Sequence, residues 1–417
     1  MARWRWILTQ LTRQLWIRAT LIGILGAVAA VLALVVDRFV PWEIPDLIGA
    51  DAVDDILNII ASSMLAVTTF SLSVMTSAYG AATSNVTPRA TKLLMQDRVT
   101  QNVLSTFIGS FLFSIVGIVV LKTGAYGDRG RVILFIVTIG VIVLIVVSLL
   151  RWIDYLTRFG RVGETTQRVE QAARDAMEAR IADPYLGGRP LVALPDDALP
   201  VFAGEVGYVQ HIDIGALSEC CKAHGCTVHI ASVPGSFAHP GQEVARVRLE
   251  DGQTDVEALI DAVRAGFTIA DERSFDQDPR FGLAVMSEIA SRALSQAIND
   301  SGTAIDVIGR LTRLMTLWSD EGGRGVDEVA HPSVYVPPLK DEDLFEDAFM
   351  PMARDGAGHI EVQVRLQKSL EALSKRGKET FRTAAREQAR LAMVRALATM
   401  DNATDRERMT RAAEWIG

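Results

Sequence analysis

The sequence predicts a membrane α-helical protein with four transmembrane helices, followed by a C-terminal α+β cytoplasmic domain. Hydrophobic residues make up 49% of the 417 residues, although 22% are charged. Both figures are compatible because the apolar residues are concentrated in the first 150 positions. Four apolar runs lie there, and about 20 apolar residues suffice for a helix to cross a bilayer. They occupy residues 19–36, 56–88, 103–121 and 132–150.

The first part of the chain is basic and precedes the first apolar run. Residues 1–18 hold four arginines, three tryptophans and no acidic residue. This composition predicts an interfacial amphipathic helix on the membrane surface. A signal peptide is the alternative, but no convincing cleavage site precedes a globular sequence. In the first apolar run, Gly23 and Gly26 would let a neighbouring helix pack closely.

Charges around the apolar runs predict the orientation of the chain. Residues 37–55 carry six acidic residues and one arginine. Basic residues instead cluster before the first run, between the second and third, and after the fourth. Because cytoplasmic segments are enriched in Lys and Arg, both termini are expected in the cytoplasm.

The second apolar run, residues 56–88, is unusually long and unusually polar. It contains no charged residue, and its small polar side chains recur at helical spacings of three, four and seven residues, so they share one face. Such a face either packs closely against another helix or faces water. The members of this face are Asn58, Ser62, Thr69, Ser73, Thr76, Gly80 and Thr83.

Two functional hypotheses follow from this helix. The first is a homo-oligomeric ion channel in the lipid bilayer, with Leu65, Phe70 or Met75 forming an apolar constriction. Its pore-lining residues would be Asn58, Ser62, Leu65, Thr69, Ser73, Thr76 and Gly80. The second is a membrane-anchored signalling or scaffold protein whose cytoplasmic domain binds a ligand or a protein partner.

Other classes are less favoured by the sequence. An enzyme or a proton-coupled transporter is not expected, because no catalytic motif and no acidic residue within the apolar runs was found. The net charge of −8 argues against a nucleic-acid partner. No cofactor is expected.

The segment after the second run, residues 88–101, is amphipathic and lies at the predicted cytoplasmic end. Arg89, Asp97 and Arg98 could couple the cytoplasmic domain to the pore. Alternatively, Asp97 and Arg98 form a solvated pair at the surface.

Beyond the membrane, the composition predicts three parts. A connector at 161–199 begins with a charged helix at 164–181. A β-rich module at 200–255 alternates apolar and polar residues and holds a short helix closed by Gly225. A mainly helical cytoplasmic domain covers 256–417, with a polar loop and a short extended piece at 320–345. Its predicted helices span 256–265, 281–297, 303–319, 362–374, 379–400 and 405–415. Together with the helix at 1–18 and the transmembrane domain at 19–160, these parts complete the chain.

Cysteines and histidines cluster in the β-rich module. Cys220, Cys221, His224, Cys226 and His229 lie within ten positions. Their spacing matches no standard zinc module, so buried thiols are favoured over a metal site. An odd, clustered set of three cysteines also suits a reducing compartment.

Polar residues gather around the predicted helix 281–297. Asp278, Arg292, Ser295, Asn299 and Asp300 could serve as an acid–base set, but no His or Cys nucleophile accompanies them. A buried polar clamp that holds a helix–turn–helix is favoured, with Arg292 paired to Asp278 or Asp300. The capped helix starts could also bind a small anion.

Several motifs together resemble a bacterial family known as "predicted membrane protein", a domain of unknown function. They are the Val-Thr-Pro-Arg step at 86–89, Asp97-Arg98, the Pro-Gly-x-Phe hairpin at 234–237, and Arg-Ala-Leu-Ser-x-Ala-Ile-Asn-Asp at 292–300. Gln296 and Ser301 replace prolines usual in the family, which predicts looser turns. The resemblance implies a multi-pass protein of the bacterial inner membrane with a cytoplasmic domain, and it supplies no catalytic residues.

Overall fold

The computed structural model describes residues 20–29, 50–95, 97–123, 128–158, 160–250, 255–321 and 329–416, together with residues 17 and 31. The predicted interfacial helix and most of the acidic segment at 37–55 therefore lie outside the described residues. Contacts divide the chain into two compact units. The N-terminal unit comprises Ile7–Ser84 and Thr91–Glu164, and the C-terminal unit includes Asn85–Ala90 and Thr165–Gly417.

The N-terminal unit is built mainly from apolar helices. They are α1 (Thr20–Ala29), α2 (Ala50–Asn85), α4 (Arg98–Lys122) and α5 (Asp128–Arg158). The short helix α3 (Pro88–Met95) is amphipathic, and its residues 88–90 group with the C-terminal unit. Three of the described helices are long and apolar enough to cross a membrane, over Ala52–Thr83, Val99–Lys122 and Arg131–Thr157. The predicted count of four is not confirmed. The described part of the first run, α1, would rise only about 15 Å, against about 30 Å of bilayer core.

Large side chains and close helix contacts hold the N-terminal unit together. Phe107 and Trp152 belong to a buried cluster shared by α2, α4 and α5. The Trp152 indole donates a hydrogen bond of 2.9 Å to the Ser71 hydroxyl of α2, which satisfies both polar groups in the interior. A Cβ added at Gly26 would lie 2.7 Å from the carbonyl oxygen of Gly109 in α4. The close approach predicted at Gly26 is thus confirmed, since only glycine leaves the backbones room.

The C-terminal unit starts along α6 (Val162–Ala182), close to the predicted helix at 164–181, and continues into an α/β module. Its strands are β1 (Arg189–Pro190), β2 (Leu199–Phe202), β3 (Gly207–Ile212), β4 (Cys226–Ile230), β5 (Phe237–Ala238), β6 (Glu243–Leu249), β7 (Phe267–Ala270) and β8 (Val334–Val336). Two helices accompany them, α7 (Ile214–His224) and α8 (Val256–Ala265). As predicted, Gly225 ends α7, in a left-handed conformation with φ of 61°.

The strands form two sheets that share one core. The five-stranded sheet has the order β1-β8-β4-β6-β2, and the three-stranded sheet has the order β5-β3-β7. β8 pairs in parallel with both β1 and β4, whereas β4, β6 and β2 pair antiparallel. Val209, Val228, Val247 and Leu217 fill the core between the sheets and α7. The sheets therefore take in strands on both sides of the range 200–255.

The remaining helices form a bundle, in which three phenylalanine side chains pack against one another. The helices are α9 (Pro279–Ala293), α10 (Ser301–Glu321), α11 (Asp341–Asp355), α12 (Ile360–Leu373), α13 (Glu379–Thr399) and α14 (Ala403–Ala412). A short 3₁₀ turn follows at Glu414–Ile416. Phe345 of α11 contacts Phe349 and Phe381 through their rings.

Two predicted boundaries in this bundle are wrong. The C-terminal boundary of the predicted loop 320–345 is too late, because α11 already starts at Asp341. The first turn of α11 is acidic, and this polar composition is typical of a loop. The residues that follow nevertheless form an apolar face that is buried: Leu344, Phe345 and Ala348. The predicted helix 281–297 is too long, because α9 ends at Ala293 and the chain turns through Asn299 with φ of 51°.

Candidate functional site

The polar face predicted on α2 lies on the outside of the N-terminal unit. The seven residues that the sequence assigns to a pore are all exposed, namely Asn58, Ser62, Leu65, Thr69, Ser73, Thr76 and Gly80. The opposite face of α2, with Leu57, Met64 and Met75, is buried against α4 and α5. No described residue of the same chain covers the polar face, so it is not a packing stripe within the described bundle.

Most polar side chains on this face are bonded to their own helix. Thr69 donates to the carbonyl oxygen of Leu65 and Thr76 to that of Leu72, each at 2.9 Å. Ser62 and Asn58 bond in the same manner, to carbonyl oxygens one turn earlier. These bonds give the hydroxyl hydrogens an acceptor inside the membrane-spanning helix. The hydroxyl oxygens can still accept hydrogen bonds from groups outside the helix. The face can therefore meet lipid, another helix or hydrated ions.

The three candidate constriction residues do not share a face. Leu65 and Phe70 are 54% and 64% exposed, whereas Met75 is 3% exposed. Met75 belongs to the buried cluster of α2, α4 and α5. The assignment of Met75 to a constriction is therefore wrong, because its position on the helical wheel faces the chain's own bundle.

The predicted coupling residues lie in α3 and at the start of α4, shortly after α2 ends. Arg89, in the stretch Asn85–Ala90 that groups with the C-terminal unit, forms an ion pair of 2.6 Å with Glu288 of α9. Asp97 caps α4 by accepting the Thr100 amide at 2.8 Å, and Arg98 is the first residue of that helix. Asp97 thus has a local structural role as a helix cap, and Arg89 contacts α9.

Asp278 is the centre of a buried polar cluster in the C-terminal unit. Its side chain is 2% exposed and accepts two hydrogen bonds from Arg273, at 2.8 and 3.0 Å. It also caps α9 through the Phe281 amide at 3.1 Å. Burial raises the pKa of Asp278, although the adjacent Arg273 opposes this effect. A Cβ added at Gly235 would lie 2.7 Å from the carboxyl carbon, so the Pro-Gly hairpin packs directly on this group.

The predicted polar clamp is not brought together as one cluster. Asp278 precedes α9, whereas Ser295, Asn299 and Asp300 follow its end, and Arg292 lies exposed in its last turn. Asp300 instead caps α10 through the amide and hydroxyl of Thr303. The partner of Asp278 is therefore Arg273 rather than Arg292. The feature of the sequence that indicates this ion pair is an arginine five residues before the aspartate that caps a helix.

The cysteine and histidine cluster is divided between the sheet and α7. Cys221 and Cys226 are buried, and a hydrogen bond to Cys226 together with burial raises the pKa of the Cys221 thiol. His229 stacks on Tyr335 with ring centroids 4.7 Å apart, and burial lowers its pKa. Within the described ranges, no three His, Cys, Asp or Glu side chains are placed to hold a metal ion together.

Long apolar helices joined to an α/β and helical domain define an α-helical membrane protein. The chain belongs to the family described as "Predicted membrane protein (DUF2254)", which it matches over residues 12–372. It is also similar to the uncharacterized proteins Rv1290c of Mycobacterium tuberculosis (strain H37Rv) and Mb1321c of Mycobacterium bovis. Each is 25% identical over 269 residues, which cover 62% of this chain and 50% of the relative. The chain thus spans about half the length of the curated relatives it matches. No solved structure matches the chain.

Proposed function

We propose that the protein is a homo-oligomeric ion channel of a bacterial inner membrane, in which the polar face of α2 from several copies surrounds the pathway. The observation that carries this proposal is the position of that face. It runs along a helix long enough to cross the membrane, yet no described residue of the chain covers it.

A comparison with α5 strengthens the proposal. Between Ile136 and Leu150, the exposed large side chains of α5 are all apolar, as expected for a face against lipid tails: Ile136, Ile139, Val143, Leu144, Val146, Val147 and Leu150. The exposed face of α2 instead carries Ser, Thr and Asn side chains among the exposed apolar residues Ile59, Leu65, Phe70 and Leu72. Because polar groups gain from water or a close partner helix, the face of α2 suits contact with other copies around an aqueous path.

The C-terminal unit is proposed as the gate, located in the cytoplasm together with both termini. Residues 85–90 continue directly from α2 and group with the C-terminal unit. A shift of that unit would therefore be transmitted along the backbone to α2. The exposed Arg89–Glu288 pair contributes only about 0–1 kcal/mol, so the covalent connection rather than this ion pair carries the coupling. The proposed activity involves no catalysis.

A matched pair of glycines tests the proposal in planar-bilayer recordings of the purified chain. No atom of the described residues lies within 4 Å of a Cβ added at Gly80 on α2 or at Gly140 on α5. Leucine therefore fits at either position within one chain. We expect Gly80→Leu to lower unitary conductance severalfold, because it narrows the path between copies, and Gly140→Leu to leave it unchanged.

Two results would contradict the channel proposal. One is the absence of any wild-type conductance under both voltage and membrane tension. The other is an equal effect of Gly80→Leu and Gly140→Leu, since Gly140 lies on the lipid-facing helix. The alternative, an anchored signalling protein, would then be favoured.

A further inference from the structure

A cavity of about 420 Å³ lies inside the C-terminal unit, among parts of α6, α10, α11 and α13. Its size is within the range of small-molecule sites in proteins. Its wall combines aromatic side chains with three cations and two acids. The wall includes Arg180, Tyr185, Trp318, Lys340, Lys378 and Phe381, with Asp341 and Glu342.

Arg180 is the unusual member of this wall. It is 3% exposed, and none of its three guanidinium nitrogens has a hydrogen-bond partner among the described residues. Asp278 is near enough to stabilise its charge, but the oxygens of Asp278 already accept from Arg273 and the Phe281 amide. A buried guanidinium without an acceptor is costly, because the hydrogen bonds it made to water are not replaced. Burial accordingly lowers the pKa of Arg180 to about 10.

Two helices begin at the same cavity with uncapped N-termini. α11 follows Lys340 and α13 follows Lys378, and neither lysine gives its helix a side-chain cap. The first amides of these helices of 15 and 21 residues add positive potential to that of the lysines. Acidic residues in the first turns oppose it, but Asp343 is paired with Arg280 and Glu379 with Arg382. Asp341 is already engaged, since it accepts from the Trp318 indole at 3.1 Å and from the Thr380 hydroxyl at 2.6 Å.

We propose that this cavity binds a small phosphate monoester, with the phosphate near Arg180, Lys340 and Lys378 and an apolar or aromatic substituent against Trp318. Phosphate suits a site where a guanidinium, two ammonium groups and two helix starts converge. The cavity is larger than a phosphate ion, and its aromatic wall accounts for the remaining volume. Two sources offer this chemistry: a soluble phosphate such as a nucleoside monophosphate, and the headgroup of phosphatidic acid.

Titration calorimetry of the full chain in detergent tests the site, with inorganic phosphate, AMP, adenosine and dioctanoyl phosphatidic acid as probes. We expect AMP or the phosphatidic acid to bind, more tightly than inorganic phosphate, and adenosine to fail. Which of the two binds identifies the source. Arg180→Met should weaken binding at least tenfold and Lys378→Ala severalfold. Lys368→Ala, on the exposed face of α12, should have no effect.

Thermal unfolding without ligand provides the second readout. If Arg180 serves to bind a ligand, Arg180→Met removes a buried charge that has no hydrogen-bond partner among the described residues. The melting temperature of this variant should then equal or exceed that of the wild-type chain. The proposal is overturned if none of the phosphate probes binds at millimolar concentration, or if Arg180→Met lowers the melting temperature while leaving binding unchanged. No conductance is measured here, so failure of this site and failure of the channel proposal are distinguishable.

Discussion

Replacing Asp278 with alanine is expected to lower the free energy of unfolding by about 3–5 kcal/mol, the usual cost of removing one partner of a buried ion pair. Three interactions are lost together: the two hydrogen bonds from Arg273 and the cap of α9 at Phe281. Arg180 also loses a carboxylate that stabilises its charge. Urea unfolding of the full chain, followed by circular dichroism, measures the change.

Asp278→Asn separates the cap from the charge. Asparagine can still cap α9, so the loss should be smaller than with alanine by about 1 kcal/mol. Glu387→Ala is the control, because Glu387 forms an exposed pair with Arg390 one turn away and should change stability by no more than about 0.5 kcal/mol. If Asp278→Ala were as stable as the Glu387 variant, the buried cluster would not organise this unit.

Gly282→Ala is expected to destabilise the C-terminal unit by about 1–3 kcal/mol, the cost of overpacking a close contact. A Cβ at this position would lie 2.7 Å from the Cα of Ala173 and nearer still to its Cβ, so α6 and α9 must separate. The backbone of Ala173 cannot move away as a flexible side chain would.

Gly309→Ala is the matched control within the same bundle. Gly309 also lies within a helix, α10, but an added Cβ would have no atom of the part of the chain that the structure describes within 4 Å. Alanine there should stabilise the protein by about 0.5–1 kcal/mol through helix propensity alone. The two substitutions are thus expected to have opposite signs in the same urea titration. Equal effects would show that α6 and α9 do not approach closely at Gly282.

Local patterns in the sequence were sufficient for many elements. The predicted helix at 256–265 matches α8 because an amphipathic repeat follows the Asp255 cap. Pairings between distant segments were not predictable. β8 enters the large sheet between β1 and β4, although about 100 residues separate it from β4. Only the folded chain reveals that the short extended piece after the loop completes this sheet.

The same limit applies to the functional candidates. Periodicity grouped Asn58 and Ser73 on one face of α2, but a helical wheel does not tell whether a neighbour covers that face. Arg180 is not among the site residues predicted from the sequence. Its position could have indicated burial, because Arg180 follows Val169, Ala173 and Met177 at helical spacing, and these three residues form the buried face of α6. An arginine in such a position predicts a buried charge that needs an acceptor.

Cysteine accessibility at Ser73 tests the channel proposal most directly. Ser73 lies midway along the exposed polar face of α2, and Val147 is a matched position on the exposed apolar face of α5. Currents from Ser73→Cys and Val147→Cys are recorded before and after a charged, water-soluble thiol reagent. The wild-type chain serves as the baseline for its three native cysteines. The proposal predicts block of the Ser73→Cys current and no change for Val147→Cys. An unmodified Ser73→Cys current, or equal block of both variants, would contradict it.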